Sequence, residues 1–265
     1  GPRKSTGKSR KALISASLFA LRDHQEELRK LTKRQWMLLI LGGIFLGFHF
    51  ASWITSLEYT SVASSVVLVT TAPLWVALLA PLVLKEKITR SVMVGLFIAL
   101  AGSVIVTMST SCRVEAYRLI CTGMGENLHG AALIGNVLAL LGAFLSAGYL
   151  MIGRVSRGNL SLTAYTFVVY GVAALILVIM VALTGQSVSG FSSATYAWII
   201  ALGLVPQLVG HSSFNWALKF LPATYVSIAL LGEPVGTVIL AVIFLAEMPA
   251  PLEVAGGSMI LAGIL

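Results

Sequence analysis

The sequence predicts an all-α polytopic membrane protein on three observations: its composition, the spacing of its apolar residues and the placement of its positive charges. Of its 265 residues, 57% are hydrophobic and only 11% are charged, and the mean hydropathy is +0.93. A soluble domain of this length does not need so much apolar sequence. The apolar residues form about eight runs, most of them long enough to cross a bilayer as a helix. These runs lie at 35–57, 62–84, 91–109, 131–153, 162–184, 195–218, 221–246 and 252–265.

The positive charges fit a membrane topology. If residues 1–34 lie in the cytoplasm and every run crosses the bilayer, 16 of the 18 Lys and Arg residues fall on the cytoplasmic side. Arg113 and Arg118 fall outside, so the pattern follows the positive-inside rule. The net charge of +8 is therefore explained by topology, and we do not expect a nucleic-acid-binding surface.

Residues 1–34 are predicted to be a basic cytoplasmic segment. Leucines recur there at roughly helical spacing among charges, which indicates an amphipathic helix on the inner membrane surface. These leucines are Leu18, Leu21, Leu28 and Leu31. Alternatively, residues 12–21 are the remnant of a preceding membrane helix, because about ten apolar residues cannot span a bilayer by themselves.

The run 221–246 contains the strongest candidate for a functional residue. Its only charge, Glu233, lies near its middle. A carboxylate is costly in hydrocarbon, so such residues usually face a cavity or the protein interior and often serve function. Pro234 follows directly and predicts a kink or break, and Gly232 and Gly236 form a GxxxG spacing typical of close helix contacts. We expect Glu233 to bind substrate or protons; the alternative is a protonated structural carboxyl in a helix contact.

Eight further polar or aromatic side chains are candidates for a substrate- and proton-binding cavity shared with Glu233. In three of the runs they recur at intervals of four residues, so each set lies near one helical face. Strongly polar residues on a single membrane helix are hard to explain as lipid contacts. The alternative, above all for Thr and Asn, is hydrogen bonding between helices. The candidates are His49, Trp53, Thr71, Trp75, Asn136, Gln207, His211 and Asn215.

The loop 110–130 is the longest polar connection and contains both cysteines of the chain, Cys112 and Cys121. The predicted topology places the loop on the oxidising side of the membrane, where a disulfide can persist. We expect the two cysteines to be joined; the alternative is two free thiols. A zinc site is not expected, because only two sulfur ligands are present and His129 is a weak third. No other metal site is predicted.

The second half of the chain repeats the first at an offset of 161 positions. About ten identities occur in roughly 48 positions without a gap, including Pro73 with Pro234 and Glu86 with Glu247. An odd number of spans in each repeat would invert the second copy in the membrane. Inverted repeats with interrupted helices near the middle of the bilayer are typical of secondary transporters.

The paired stretches 57–106 and 218–265 resemble EamA domains of the drug/metabolite transporter superfamily, and the resemblance covers nearly everything from Arg34 onward. It implies an inverted repeat of two five-helix units with both termini in the cytoplasm. On that template the eight runs are helices three to ten, and the first two helices are absent. The expected domains are then a partial first repeat at 35–109, the external loop 110–130 and a second, C-terminally truncated repeat at 131–265.

The resemblance implies a secondary transporter that exports small metabolites, such as amino acids or related compounds, across the cytoplasmic membrane by alternating access. The alternative is a non-transporting membrane scaffold or receptor, which would bind without flux. An enzyme is not expected, because HExxH, GxSxG and paired Asp motifs are absent and Glu233 is the only mid-span acid. No cofactor is expected. The expected partners are a small-molecule substrate and the lipid bilayer, with a homodimer left open and no nucleic acid.

Overall fold

A computed structural model describes residues 26–108, 112–115, 118–121, 130–158, 160–246 and 248–265. Within these ranges the chain is helical apart from turns and one short β-hairpin. Of the predicted segment 1–34, residues 1–25 lie outside the described ranges, and residues 26–29 form a helical turn.

The described residues of the first half of the chain form four helices. Helix α1 (Lys33–Tyr59) begins with a capping box, in which the Thr32 hydroxyl accepts from the Gln35 backbone N–H and the Gln35 side chain accepts from the Thr32 N–H. Helix α2 (Val62–Val69) and helix α3 (Ala72–Val83) are separated by a break, and helix α4 (Arg90–Met108) follows.

A β-hairpin lies between α4 and the second half of the chain. Strand β1 (Cys112–Glu115) pairs antiparallel with β2 (Arg118–Cys121), and the register places Cys112 opposite Cys121. Directly opposed residues in such a pair have Cα atoms about 4.5–5.5 Å apart, which lies inside the range that a disulfide requires.

We predict that the unreduced protein contains the Cys112–Cys121 disulfide, because the backbone register brings the two residues together. Mass mapping after proteolysis without reduction should recover the two cysteine peptides as one linked species. Recovery of both cysteines alkylated, with no prior reduction, would contradict the prediction.

In the second half of the chain, the described residues form seven helices joined by short turns and two π-helical segments. Pro206 lies inside the first π-helical segment; it lacks an N–H, and the resulting gap in the hydrogen-bond ladder favours the wider turn. The elements are α5 (Ala131–Arg157), α6 (Leu162–Thr184), α7 (Ser193–Leu202), the π-helical segment Gly203–His211, α8 (Ser212–Ala217), α9 (Ala223–Leu230), α10 (Glu233–Leu240), the π-helical segment Ala241–Leu245 and α11 (Pro251–Ile264).

Seven helical stretches in the described residues are long and apolar enough to cross a membrane, by length and composition. Helix α11 is a shorter apolar helix of 14 residues. Each stretch overlaps one of the eight predicted runs, so the predicted polytopic all-α class is confirmed.

Two of the spans are broken, as their prolines predict. Helix α2 ends at the cap Thr70, before Pro73, and α9 ends at the cap Leu231, before Pro234; the two caps are 161 positions apart. Lys85 and Ala246, which follow the broken spans at the same offset, both have a positive φ, at 58° and 53°. Such a backbone is uncommon for residues other than glycine. These paired features are the pattern that an inverted repeat predicts.

Small residues allow the central helices to approach closely. Helix α1 packs along α5, where Ala139, Ala143 and Ala147 are fully buried, and along α6, where a Cβ added at Gly43 would lie 2.6 Å from Val172 Cβ. The predicted close contact at Gly236 is wrong: a Cβ added there would meet nothing within 4 Å. The break before α10 turns that face toward open space.

Helices α4 and α11 cross at two glycine pairs. A Cβ added at Gly95 would lie 2.4 Å from the Gly263 carbonyl oxygen, and one added at Gly102 would lie 2.5 Å from the Gly256 carbonyl oxygen. The repeat offset relates Gly95 to Gly256 and Gly102 to Gly263. The Gly95–Gly263 contact and the Gly102–Gly256 contact therefore occupy equivalent positions under this offset, as they would if a pseudo-twofold axis related two copies.

Candidate functional site

A cavity of about 410 Å³ lies between the two broken spans. Helices α1, α4, α5 and α11 and the end of the first π-helical segment complete its wall. Ligand pockets in proteins commonly have volumes of about 300–1,000 Å³, so the cavity can hold a small molecule. Its polar lining side chains in the described part of the chain are His49, Trp53, Thr70, Thr107, Ser146, His211, Glu233, Thr237 and Glu253.

The broken spans contribute equivalent positions to the wall. Pro73 and Pro234 both line the cavity, and so do Ala72 and Glu233, which immediately precede them. At this position the second broken span therefore supplies a carboxylate, whereas the first supplies a methyl group. Glu233 is the first residue after the break, and it faces the space between the two broken spans.

Glu233 is the first residue of α10, and its side chain is exposed to the cavity. The helix dipole stabilises a negative charge in the first turn. The Thr237 hydroxyl, one turn later, donates to the Glu233 carbonyl oxygen at 3.0 Å and also lines the cavity. The prediction that Glu233 faces a cavity agrees with this placement, while its role in binding stays a prediction.

Glu253 is a second carboxylate on the wall that the sequence analysis missed. It lies in the first turn of α11, half-buried, and its Oε2 accepts from the Ala250 backbone N–H at 2.9 Å. Its position at the start of a run hid it from a search for acids in the middle of spans. The available signal was a Glu two residues after Pro251, the first residue of the helix, and therefore three residues after the N-cap position.

Two predicted histidines and a predicted tryptophan also meet in the cavity. His49 is 7% exposed, and its ring stacks on Trp53 with 6.0 Å between centroids. Its Nδ1 lies 2.9 Å from the Gly142 carbonyl oxygen, which can only accept, so Nδ1 donates. The His211 ring packs edge-on against Phe50, a position related to it by the repeat offset, at 5.4 Å.

Thr71 and Trp75 do not reach this cavity, contrary to prediction. They line a separate shallow groove, where the Thr71 hydroxyl donates to the Leu68 carbonyl oxygen and the Trp75 ring packs edge-on against Phe144. The four-residue spacing behind the prediction holds only where the helical phase is unchanged, although Pro73 was expected to interrupt the span. The break after α2 changes the helical phase, so Thr70 faces the cavity instead.

Asn136, Gln207 and Asn215 also lie outside the cavity lining. Asn136 Oδ1 accepts from the Thr60 hydroxyl at 2.9 Å and thereby ties α5 to the end of α1. Asn215 is fully buried and donates to the Tyr149 hydroxyl at 2.6 Å. Gln207 is half-buried in the π-helical segment, whose wider turn breaks the four-residue periodicity behind the prediction.

The end of the bundle that carries Lys85, Arg154, Arg157 and Lys219, here called the basic end, is closed. A packed cluster separates it from the cavity, and its members include Leu46, Val76, Ala80, Ala147, Tyr149, Leu150, Tyr165 and Leu218, all 2% exposed or less. The cavity extends instead toward the opposite end, where Val62 at the start of α2 and Glu253 at the start of α11 line it.

An ion pair joins the two halves at the basic end. Arg154 Nε donates to Glu86 Oε1 at 3.2 Å, and Arg154 Nη1 donates to the Leu218 carbonyl oxygen at 2.9 Å. Glu86 Oε2 also accepts from the Ala223 N–H, at 3.2 Å, at the start of α9. The Glu86 carboxylate therefore caps the N-terminus of α9, and the Arg154 guanidinium caps the C-terminus of α8. Both contacts are favourable to the helix dipoles. We call Glu86 and Arg154 the latch.

The chain matches a known family over most of its length. The model of the EamA-like transporter family matches residues 11–108 and 133–265. The chain belongs to this family. Its sequence is similar to the uncharacterized transporter YyaM of Bacillus subtilis, at 26% identity over 96% of this chain and 80% of the relative. It is also similar to the uncharacterized transporter YdfC of the same organism, at 26% identity over 83% of this chain and 67% of the relative.

A solved crystal structure shares the fold of this EamA-family chain, with a TM-score of 0.71 at 18% identity; the match covers 89% of this chain and 76% of that one. Family membership, the names of the relatives and the apolar helices together identify a multi-pass membrane transporter. They point to transport rather than to an enzymatic activity.

Proposed function

We propose that this EamA-family protein is a secondary transporter that exports a small metabolite across the cytoplasmic membrane by alternating access. The observation that carries the proposal is the cavity between two broken spans, closed at the basic end and extending toward the other. Alternating access requires a central site that opens to one side at a time, and interrupted helices at such a site are typical of repeat-built transporters. The expected partners remain a small-molecule substrate and the lipid bilayer.

Flux tests the proposal directly. The purified protein in liposomes should move a labelled metabolite down an imposed gradient, and protein-free liposomes should not. The competing function, a membrane receptor or scaffold, predicts saturable binding without flux. Binding with no flux for every metabolite tested would therefore favour the competing function.

The charge pattern predicts that the basic end is cytoplasmic, which would make the described conformation outward-facing. In a Cys112→Ser, Cys121→Ser background, a membrane-impermeant thiol reagent outside the cell should label Ser189→Cys and not Lys87→Cys. Both positions are exposed, so whether each cysteine is labelled should depend only on the side of the membrane on which it lies. Strong external labelling of Lys87→Cys would reverse the orientation. Arg157, which is 2% exposed, is unsuitable as a probe.

The latch is expected to stabilise closure of the basic end. Arg154→Gln removes a partly buried charge-assisted contact, and such contacts contribute about 1.5–3 kcal/mol. The equilibrium should therefore shift roughly tenfold or more toward a state open at that end. Ala80→Cys, buried in the closed state, should then react faster with a cytoplasmic thiol reagent.

Arg90→Gln is the matched control for the latch, because Arg90 is an exposed cation at the start of α4 and the described latch contacts do not include it. It should leave the labelling rate of Ala80→Cys unchanged. Equal rates in Arg154→Gln and the parent protein would show that the latch does not hold the end closed.

A further inference from the structure

A short segment before the first membrane helix lies against the basic end of the bundle. Residues 26–29 form a helical turn, and the chain then turns at Leu31, whose backbone N–H donates to the Leu28 carbonyl oxygen at 3.3 Å. Helix α1 begins separately, after its cap Thr32, which has an extended backbone. Residues 26–31 are therefore an element of their own and not the first turn of α1. We call them the clasp.

Glu27 joins the clasp to the start of α6. Its Oε1 accepts from the Ser161 backbone N–H at 2.6 Å, and its Oε2 accepts from the Ser161 hydroxyl at 2.5 Å. Ser161 is the N-cap of α6, and its hydroxyl accepts from the Ala164 N–H at 3.2 Å. The Glu27 carboxylate therefore extends the capping of a helix N-terminus, where the helix dipole favours negative charge.

Two leucines of the clasp pack on the cluster that closes the basic end. Leu28 and Leu31 are partly buried against this cluster, whose members separate the basic end from the cavity. Burial of apolar surface is favourable, and this surface is buried only while the clasp is docked and the cluster is assembled. Docking of the clasp and closure of the basic end should therefore stabilise each other.

The clasp and the latch connect the two halves of the chain in the same way. In each, an acid from the first half accepts from a backbone N–H at the start of a helix in the second half: Glu27 at α6 and Glu86 at α9. An arginine from the end of α5 accompanies each acid. Arg154 donates to Glu86, and Arg157, one turn later, lies near Glu27, whose negative charge attracts it.

Arg157 also connects the docking point of the clasp to the cavity wall. Its Nη1 donates to the Leu160 carbonyl oxygen, and its Nε donates to the Asn215 carbonyl oxygen at 3.0 Å. Asn215 Nδ2 in turn donates to the carbonyl oxygen of His211, which lines the cavity, at 2.8 Å. The residue before Ser161 is thus tied to the span that forms part of the cavity wall.

We propose that the clasp is a gate element that holds the basic end closed, and that Glu27 must leave the start of α6 before the cavity opens to that side. The inference rests on the proposed function, because alternating access requires this end to open. The clasp is continuous with α1, so the docked carboxylate holds the start of α1 to the start of α6. The two starts cannot separate without breaking both hydrogen bonds to Ser161.

Glu27→Gln should weaken docking, because the amide keeps one acceptor oxygen and loses the charge. Two buried cysteine probes in the Cys112→Ser, Cys121→Ser background measure the result with a thiol reagent applied at the basic end. Ala164→Cys lies in the first turn of α6 and Ala80→Cys lies in α3; the native alanines are 1% and 0% exposed. Both probes should react about fivefold faster or more, which corresponds to the loss of one net hydrogen bond.

The two probes separate a gate from a local cap. Faster labelling of Ala164→Cys alone would show that the clasp only covers the start of α6, and it would overturn the proposal. Parent rates at both probes would overturn it as well.

Glu26→Gln is the matched control, because Glu26 is the adjacent, exposed acid and its described ion pair, with Lys30 at 3.6 Å, stays within the clasp. It should leave both labelling rates at the parent value. An increase equal to that of Glu27→Gln would show that the net charge of the segment matters rather than the docked carboxylate, and it would contradict the proposal.

Leu28→Ala tests the clasp without altering the contact of Glu27 with α6. It removes apolar packing on the closing cluster, so Ala80→Cys should again react faster than in the parent. If Glu27→Gln does not fold, Leu28→Ala decides, and a parent labelling rate in that variant would overturn the proposal.

The labelling experiment needs no substrate, so its result is independent of flux. Faster labelling in Glu27→Gln, in a protein that moves no metabolite, would support the clasp and contradict transport. Flux in the parent protein with unchanged labelling in Glu27→Gln would support transport and overturn the clasp.

Discussion

Glu233→Gln should reduce flux to less than about a tenth of the parent rate while the protein folds and inserts normally. Glu233 is the acid at the break between α9 and α10, and its side chain faces the cavity. Gln preserves the size of the side chain and removes the charge. Losing a charge-assisted contact to a ligand costs about 1.5–3 kcal/mol, or roughly 10- to 150-fold in binding. Gln also cannot carry a proton, so a proton-coupled cycle would stop as well.

The measurement is initial-rate flux in liposomes with matched protein content, together with size-exclusion profiles of both proteins. Glu58→Gln, at an exposed acid outside the cavity lining, is the matched control, and it should retain the parent rate. Parent-level flux in Glu233→Gln would remove this residue from the mechanism. Loss of expression in Glu233→Gln alone would favour the alternative in which the carboxyl is structural.

Gly102→Leu should destabilise the protein by about 1–3 kcal/mol or more, because it overpacks the crossing of α4 and α11. An added Cβ would lie 2.5 Å from the Gly256 carbonyl oxygen and 2.8 Å from the Ile260 backbone nitrogen. These neighbours are backbone atoms, so the clash cannot be relieved by a change of rotamer. The two helices would have to separate along the whole contact. Thermal unfolding in detergent measures the effect as a lower midpoint.

Gly171→Leu is the matched control for this substitution. Gly171 lies in α6, a span of the same kind, but a Cβ added there would meet nothing within 4 Å. Its unfolding midpoint should stay close to that of the parent. A midpoint for Gly102→Leu equal to that of Gly171→Leu would show that the α4–α11 crossing tolerates separation.

Local signals in the sequence were sufficient to predict the membrane class and the positions of the spans. Long apolar runs must form helices in a bilayer, because each backbone group needs a partner inside its own segment. Pro73 and Pro234 predicted the two breaks, since a proline cannot donate to the helix ladder. His49, Trp53, His211 and Glu233 were singled out because polar and aromatic side chains of this kind are costly in lipid, and all four line the cavity; their role in binding stays a prediction.

The sequence by itself thus determined the spans, their breaks and the polar groups that are too costly to leave in lipid. Each of these features depends only on how one segment of the chain interacts with the lipid bilayer. The tertiary structure alone decided which faces meet. Because the break after α2 changes the helical phase, Thr70 and not Thr71 lines the cavity. Asn215 lies among buried tyrosines, and Glu253, at the start of α11, lines the cavity. The tertiary structure also paired Glu86 with Arg154 across 68 positions. Such contacts depend on where separate helices cross, and periodicity within one helix carries no information about that.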